Sequence, residues 1–171
     1  MEQKKLILGV GNEILMDDGI GPKLVEKLKQ EDPIPGTTYQ TICLGGLDIV
    51  ESIQGYQTVV FVDAIKTEGG VPGTVYQFTT RDFQETLHLS NLHDISFLTA
   101  IELGRNLDME IPENIHIIAI EIVEDTIFGE SFTPDIEARY AEIYNTVSQI
   151  VQRLFLSIAD ADFNTSLTSC I

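Results

Sequence analysis

The sequence predicts a single three-layer α/β domain, with a twisted, largely parallel sheet of about five strands and helices on both faces. Short β-rich apolar runs alternate along the chain with segments whose apolar residues recur every three or four positions. One run, at residues 58–63, is apolar on both faces, which is typical of a strand in the middle of a sheet. The length of 171 residues fits about one domain with one core.

The first half of the chain supplies three of the predicted strands. Pro22 suits the first turn of the helix that follows the first strand. The predicted elements are a strand at 5–10, a helix from 22, a strand at 38–44, a helix at 47–53 and a strand at 58–63. Strands connected through helices pair in parallel by right-handed crossovers.

The second half begins with an extended segment and ends with the longest helix. Residues 74–79 alternate as an edge strand does, so the sheet need not be wholly parallel. Thr133-Pro134 is a typical helix start, and apolar residues then recur as far as Ile158. The predicted elements are a strand at 74–79, a helix at 94–107, a strand at 115–122 and a helix at 134–158. We expect the domain to cover residues 1–158 and residues 159–171 to form a flexible tail.

Composition excludes several classes of partner. Lys and Arg total 10 against 27 Asp and Glu, so a net charge of −17 disfavours nucleic acid and anionic membranes. No apolar stretch approaches the roughly 20 residues that cross a bilayer. Cys43 and Cys170 are too far apart in sequence to suggest a disulfide framework or a thiolate metal site, and both are interpreted as free thiols. We expect a cytoplasmic monomer.

The loop after the first strand carries a glycine pattern and two adjacent carboxylates. Gly9-x-Gly11 resembles a dinucleotide-binding turn, but Ile14 stands at the third glycine position. Asp17 and Asp18 would also repel a pyrophosphate, so nucleotide binding is not expected. We interpret Asp17 as a cap of the next helix and Asp18 as a functional ligand.

Asp63 and His93 complete a set of three candidate ligands. Asp63 ends a buried strand, where a carboxylate needs either a metal or cation, or the hydrogen bonds of a turn cap. His93 precedes a predicted helix, and its nearest rival is His88, while His116 fits an ordinary strand histidine. Ligands of parallel sheets bind beyond the carboxyl ends of the strands, where Asp18 and Asp63 are both expected.

Two carboxylates and an imidazole with no thiolate suit a divalent metal such as nickel or zinc and leave coordination positions open. The chain has three histidines and no pair of them one helical turn apart with a glutamate between, so it lacks the zinc protease motif. It also lacks a Gly-x-Ser-x-Gly nucleophile motif. The residues therefore predict a metal-using hydrolase.

Several motifs together resemble the hydrogenase maturation endopeptidases, which trim a C-terminal extension from the large-subunit precursor of nickel-iron hydrogenases. The resemblance extends to about Leu154. Its motifs are Gly9-x-Gly11-Asn12, Asp17-Asp18-Gly19-x-Gly21, Gly45-Gly46, Phe61-Val62-Asp63-Ala64, Pro72-Gly73, His93, Phe128-Gly129, Ser131 and Thr133-Pro134.

The resemblance implies that Asp18, Asp63 and His93 are both the metal-binding and the catalytic residues. It also implies that the metal is nickel supplied by the precursor, so that cleavage reports on nickel insertion. The sequence departs from the family at Leu44, Leu47 and Asn91, and it lacks the proline often found after the strand around Glu121.

The sequence leaves two other functions open. One is a metallohydrolase that carries its own zinc or manganese and cleaves another peptide. The other is a noncatalytic nickel-binding chaperone that recognises a maturation partner with the same residues.

Overall fold

The computed structural model describes residues 4–43, 47–80 and 92–168, and for residues 47, 92–98 and 156–168 it describes the backbone alone. A short 3-10 helix, Met16–Gly19, precedes the first α-helix. The elements are β1 (Lys5–Val10), α1 (Ile20–Glu31), β2 (Thr37–Ile42), α2 (Leu47–Ile53), β3 (Thr58–Ile65), β4 (Val75–Thr79), α3 (Leu92–Asn106), β5 (Asn114–Glu121) and α4 (Pro134–Thr168).

The five strands form one sheet in the order β2-β1-β3-β5-β4. All neighbours pair in parallel except β4, which pairs antiparallel with β5 at one edge. The central strand β3 lies between β1 and β5, as its two apolar faces require. The prediction of a largely parallel sheet of about five strands is therefore confirmed.

Side-chain alternation along the strands builds two cores, one on each face of the sheet. On one face, Val60 and Val62 of β3 pack with α1 and α4. On the other face, Val59 and Phe61 pack with α2 and α3. Successive side chains of a strand point to opposite faces. The same alternation assigns Asp63 to the face that α2 and α3 cover.

The N-terminus of α1 lies unusually close to the sheet. A Cβ atom at Gly21 would collide with the carbonyl oxygens of Val10 and Val62. Only a glycine permits this approach, which places the loop before α1 directly above the ends of β1 and β3.

The C-terminal helix is longer than the sequence analysis expected. Its backbone is helical through Thr168, so the prediction that regular structure ends at residue 158 is wrong. Between Pro134 and Ile171 the sequence has neither glycine nor proline, the residues that most readily end a helix. None of the helices in the described ranges is both long enough and apolar enough to cross a membrane.

The bounds of β1 are as predicted. The boundaries of the other strands shift by one or two residues, as for β3, which continues past Asp63 to Ile65. The predicted end of the second strand at Leu44 lies outside the described residues, which show β2 as far as Ile42.

We predict that His116 makes the stability of the domain depend on pH. Burial lowers the pKa of His116 below its usual value of 6.5, and its buried Nδ1 atom has no hydrogen-bond partner among the described residues. The folded state therefore binds the proton less readily than the unfolded state, so stability is lost as the pH falls below about 6.5.

Urea unfolding of the wild-type protein and of His116→Gln between about pH 8 and about pH 5.5 measures this effect. The variant should lose less stability over that interval than the wild type. The same pH dependence in both proteins would contradict the assignment.

Candidate metal and catalytic site

The candidate ligands Asp18 and Asp63 lie near the carboxyl ends of two neighbouring parallel strands, β1 and β3. β1 and β3 pair as far as Gly9 and Val62, so their carboxyl ends lie at the same edge of the sheet. Asp18 lies in the 3-10 helix of the loop that follows β1. Asp63 comes directly after the last residue that pairs with β1. Both residues are partly buried at this edge.

A fold in the loop after β1 determines the position of Asp18. Gly11 has a positive φ of 136°, and a Cβ atom there would collide with the carbonyl oxygen of Asp18. The loop therefore turns back on itself, and the Asn12 backbone N–H donates to Asp18 Oδ2 over 2.7 Å. This hydrogen bond orients the Asp18 carboxylate.

Asp63 is held in a similar way. Its Oδ1 atom accepts the backbone N–H of Ala64 over 2.8 Å. Since β3 continues to Ile65, Asp63 lies inside the strand, and the prediction that it closes the strand is wrong. The turn-cap alternative required that position, so the structure does not favour it.

His93 lies in the first turn of α3, and its side chain is outside the part of the chain that the structure describes. The loop after α3 reaches the amino end of the sheet, where the Gly55 N–H donates to the Glu110 carbonyl. The opposite end of α3 therefore points toward the carboxyl ends of the strands. His93 therefore lies in the turn of α3 that is nearest that edge of the sheet.

The other two histidines are His88 and His116. His88 lies outside the described residues. His116 is a half-buried strand residue that pairs with Val60, three positions before Asp63 on β3. It lies toward the amino end of the sheet, which agrees with an ordinary strand histidine.

Asp17 has a role that the sequence analysis missed. It is 0% exposed, and no side chain caps either the 3-10 helix or α1, so its predicted role as a helix cap is wrong. Asp17 Oδ1 accepts the Thr133 N–H over 2.7 Å, and Oδ2 accepts the Thr133 hydroxyl over 2.8 Å. Oδ2 also accepts the backbone N–H groups of Val123 and Glu124, each over 3.2 Å.

These hydrogen bonds clamp both ends of the segment 123–133, which we call the rim loop. A buried carboxylate is costly unless donors compensate it, and here three backbone N–H groups and a hydroxyl do so. The two carboxylates of the Asp17-Asp18 pair therefore face different surroundings, one inside the protein and one at the edge of the sheet.

Within the described ranges, no group of three or more His, Cys, Asp or Glu residues is arranged to hold a metal ion. A site built from Asp18 and Asp63 therefore needs a third ligand from the remaining side chains or from the substrate. The prediction that His93 is this ligand stays a prediction.

Residues 22–150 match the family model described as hydrogenase maturation protease. The chain belongs to the hydrogenase maturation protease family. The resemblance stated from the sequence motifs is thereby confirmed. Asp63 and His93 lie within the matched residues, and Asp18 precedes them.

A curated relative and two solved structures agree with this family. The hydrogenase expression/formation protein HupD of Thiocapsa roseopersicina is 28% identical over 138 residues, which are 78% of this chain and 61% of that relative. This chain thus spans less than two thirds of the relative's length. The hydrogenase maturating endopeptidase HybD of Escherichia coli has a TM-score of 0.71 at 21% identity, covering 88% of this chain and 93% of that chain.

The [NiFe] hydrogenase maturation protease HybD of Thermococcus kodakarensis has a TM-score of 0.65 at 24% identity, covering 89% of this chain and 99% of that chain. At these identities the two structures show that the fold is shared. The predicted fold class is confirmed by this likeness as well as by the sheet topology.

We predict that Asp17 and Asp18 differ sharply in their effect on stability. Asp17→Ala removes the acceptor for three backbone N–H groups and should lower the free energy of unfolding by about 3 kcal/mol or more. Asp18→Asn keeps an acceptor for the Asn12 N–H and should change it by less than about 1 kcal/mol. Urea unfolding of both variants measures the contrast, and a fully stable Asp17→Ala protein would contradict the clamp.

Proposed function

We propose that the protein is an endopeptidase that removes the C-terminal extension of a nickel-iron hydrogenase large-subunit precursor after nickel insertion. It would recognise the nickel already bound in that precursor. The observation that carries the proposal is the pair Asp18 and Asp63, two carboxylates near the carboxyl ends of neighbouring parallel strands, each held by a backbone N–H. Membership of the maturation protease family and the names of the relatives support it.

The ligand chemistry suits a metal that arrives with the substrate. A carboxylate has two oxygens with several lone pairs, so a hydrogen bond to a backbone N–H is compatible with metal coordination and fixes the ligand's orientation. Asp18, Asp63 and His93 would together provide oxygen and nitrogen ligands, which suit nickel. Three protein ligands leave coordination positions open for groups of the precursor or for water.

The proposed reaction is hydrolysis of a peptide bond. Nickel bound in the precursor would supply Lewis acidity, either at the scissile carbonyl or at a water molecule. The work of the enzyme is then to hold the precursor through its nickel and to place the scissile bond beside Asp18 and Asp63. One of these carboxylates would accept the proton of the attacking water and pass it to the leaving amine.

The cellular setting and oligomeric state also belong to this proposal. We propose that the protein acts in the cytoplasm as a monomer, and that its partner is the precursor and neither nucleic acid nor a membrane. The net charge of −17 supports the last point because it disfavours polyanions.

We predict that Asp18→Asn, Asp63→Asn and His93→Ala each reduce cleavage of a nickel-loaded precursor by at least about 100-fold. Each change removes a proposed metal ligand or proton acceptor, and neither Asp18 nor Asp63 belongs to the two cores of the described residues. Glu102→Gln is the matched control, because Glu102 is an exposed carboxylate on α3. A purified cleavage assay with a circular dichroism check of folding gives the measurement, and near-normal activity would remove a residue from the site.

We predict that cleavage requires nickel in the precursor. Nickel-loaded and nickel-free precursor should be compared with the same enzyme, and only the loaded form should be cut. Equal cutting of both forms would contradict nickel recognition.

Metal analysis of the purified enzyme then separates the proposal from a metallohydrolase with its own zinc or manganese. A tightly held stoichiometric metal would favour that metallohydrolase. Binding of the loaded precursor without product would instead favour a noncatalytic nickel-binding chaperone.

A further inference from the structure

An exposed apolar surface lies beside the candidate site. Phe128 is 78% exposed, Ile127 is 56% exposed and Ile14 is 51% exposed. We call these three residues the apolar patch. Ile14 belongs to the loop that carries Asp18, whereas Ile127 and Phe128 belong to the rim loop. Single exposed apolar residues are common, so the patch needs evidence that its members form one surface.

Backbone hydrogen bonds join the two halves of the apolar patch. The Gly129 N–H donates to the Ile14 carbonyl over 2.9 Å, and the Met16 N–H donates to the Gly129 carbonyl over 2.8 Å. A parallel bridge pairs Leu15 with Gly129. Ile14 and Phe128 each precede the bridged residues, so they occupy neighbouring positions on the two segments.

The rim loop holds Phe128 outward in a fixed conformation. Glu124 Oε1 accepts the backbone N–H groups of Thr126 and Ile127 and the Thr126 hydroxyl, and these bonds lower the pKa of the Glu124 carboxyl. On the other side of Phe128, the Lys23 ammonium donates to the Glu130 carbonyl over 2.5 Å. An apolar side chain presented on an ordered loop loses less conformational entropy on binding than one on a mobile loop.

The apolar patch is also tied to the candidate site itself. The Asp17 carboxylate clamps both ends of the rim loop, and Asp17 is covalently adjacent to the candidate ligand Asp18. A partner bound at the patch is therefore held at a fixed distance from Asp18, where cleavage is proposed to occur. The patch is continuous with the site through these hydrogen bonds.

Acidic residues border the apolar patch. Glu13 precedes Ile14 and Glu130 follows Gly129, and both are exposed. With the net charge of −17, this border favours a partner segment that carries basic residues beside an apolar one. Charge at the border would affect the association rate, and the buried apolar contact would affect dissociation.

We propose that the apolar patch is the docking surface for the hydrogenase large-subunit precursor, and that it takes an apolar side chain of the precursor flanked by basic residues. This inference rests on the proposed function for the identity of the partner. The apolar patch then contributes to the affinity for the precursor and to its position, whereas Asp18 and Asp63 act on the peptide bond that is cleaved.

The test compares Phe128→Ser with Leu107→Ser in the full-length protein, against a nickel-loaded precursor that the wild type cleaves. Leu107 is 61% exposed and follows α3 at the opposite end of the sheet. Phe128→Ser should lower kcat/KM about tenfold with kcat unchanged, the size expected when one aromatic anchor leaves an interface. Leu107→Ser should leave both constants at their wild-type values. Unchanged kcat/KM in Phe128→Ser would overturn the proposal.

A binding measurement makes failure of docking distinguishable from failure of the proposed function. The precursor should bind Asp18→Asn about tenfold more tightly than it binds the double variant Asp18→Asn with Phe128→Ser. Absence of cleavage by the wild type would reject the proposed function, while equal affinities in this pair would reject the docking surface. Glu130→Gln should weaken the salt dependence of association.

Sedimentation of the wild type and of Phe128→Ser tests whether a second copy of this chain occupies the patch instead. If the docking proposal is correct, both proteins sediment with the same molecular mass in solution. A wild-type dimer that Phe128→Ser dissociates would overturn it.

Discussion

The buried carboxylate of Asp17 is the interaction on which the edge of the sheet depends. In a low-dielectric interior a carboxylate is stable only with strong donors around it, and Asp17 takes them from both ends of the rim loop. The same hydrogen bonds order the rim loop and fix the position of Asp17, which directly precedes Asp18. One buried carboxylate thus determines where the protein can present both the candidate ligand Asp18 and the apolar patch.

Most of the fold could be predicted from the sequence because it depends on local pattern. The continuous apolar run Val59-Val60-Phe61-Val62 predicts a strand buried on both faces, and in the structure a core packs against each face. The extent of α4 could not be predicted in this way, since residues after Ile158 lose their apolar periodicity while containing no residue that ends a helix.

The candidate site could be predicted in part, for a topological reason. The alternation of strands and helices predicts a parallel sheet, so the ends of the strands that carry Asp18 and Asp63 were expected at one edge. That β1 and β3 are direct neighbours is a finding of the structure. The partners of Asp17 could not be found, because Thr133 is 116 positions away and its hydrogen bond depends on how the loops meet. The Thr133-Pro134 pair signalled a helix start but gave no indication of a second role for its hydroxyl.

The contact between Asp17 and Thr133 also constrains how the protein can evolve. Asp17 accepts three backbone N–H groups, which remain whatever side chains their residues carry, so loss of the carboxylate leaves buried donors unpaired. A change at position 133 removes one hydroxyl donor, and both oxygens of Asp17 keep a backbone N–H. Across descendants of this chain, position 17 should therefore keep its carboxylate more strictly than position 133 keeps its hydroxyl.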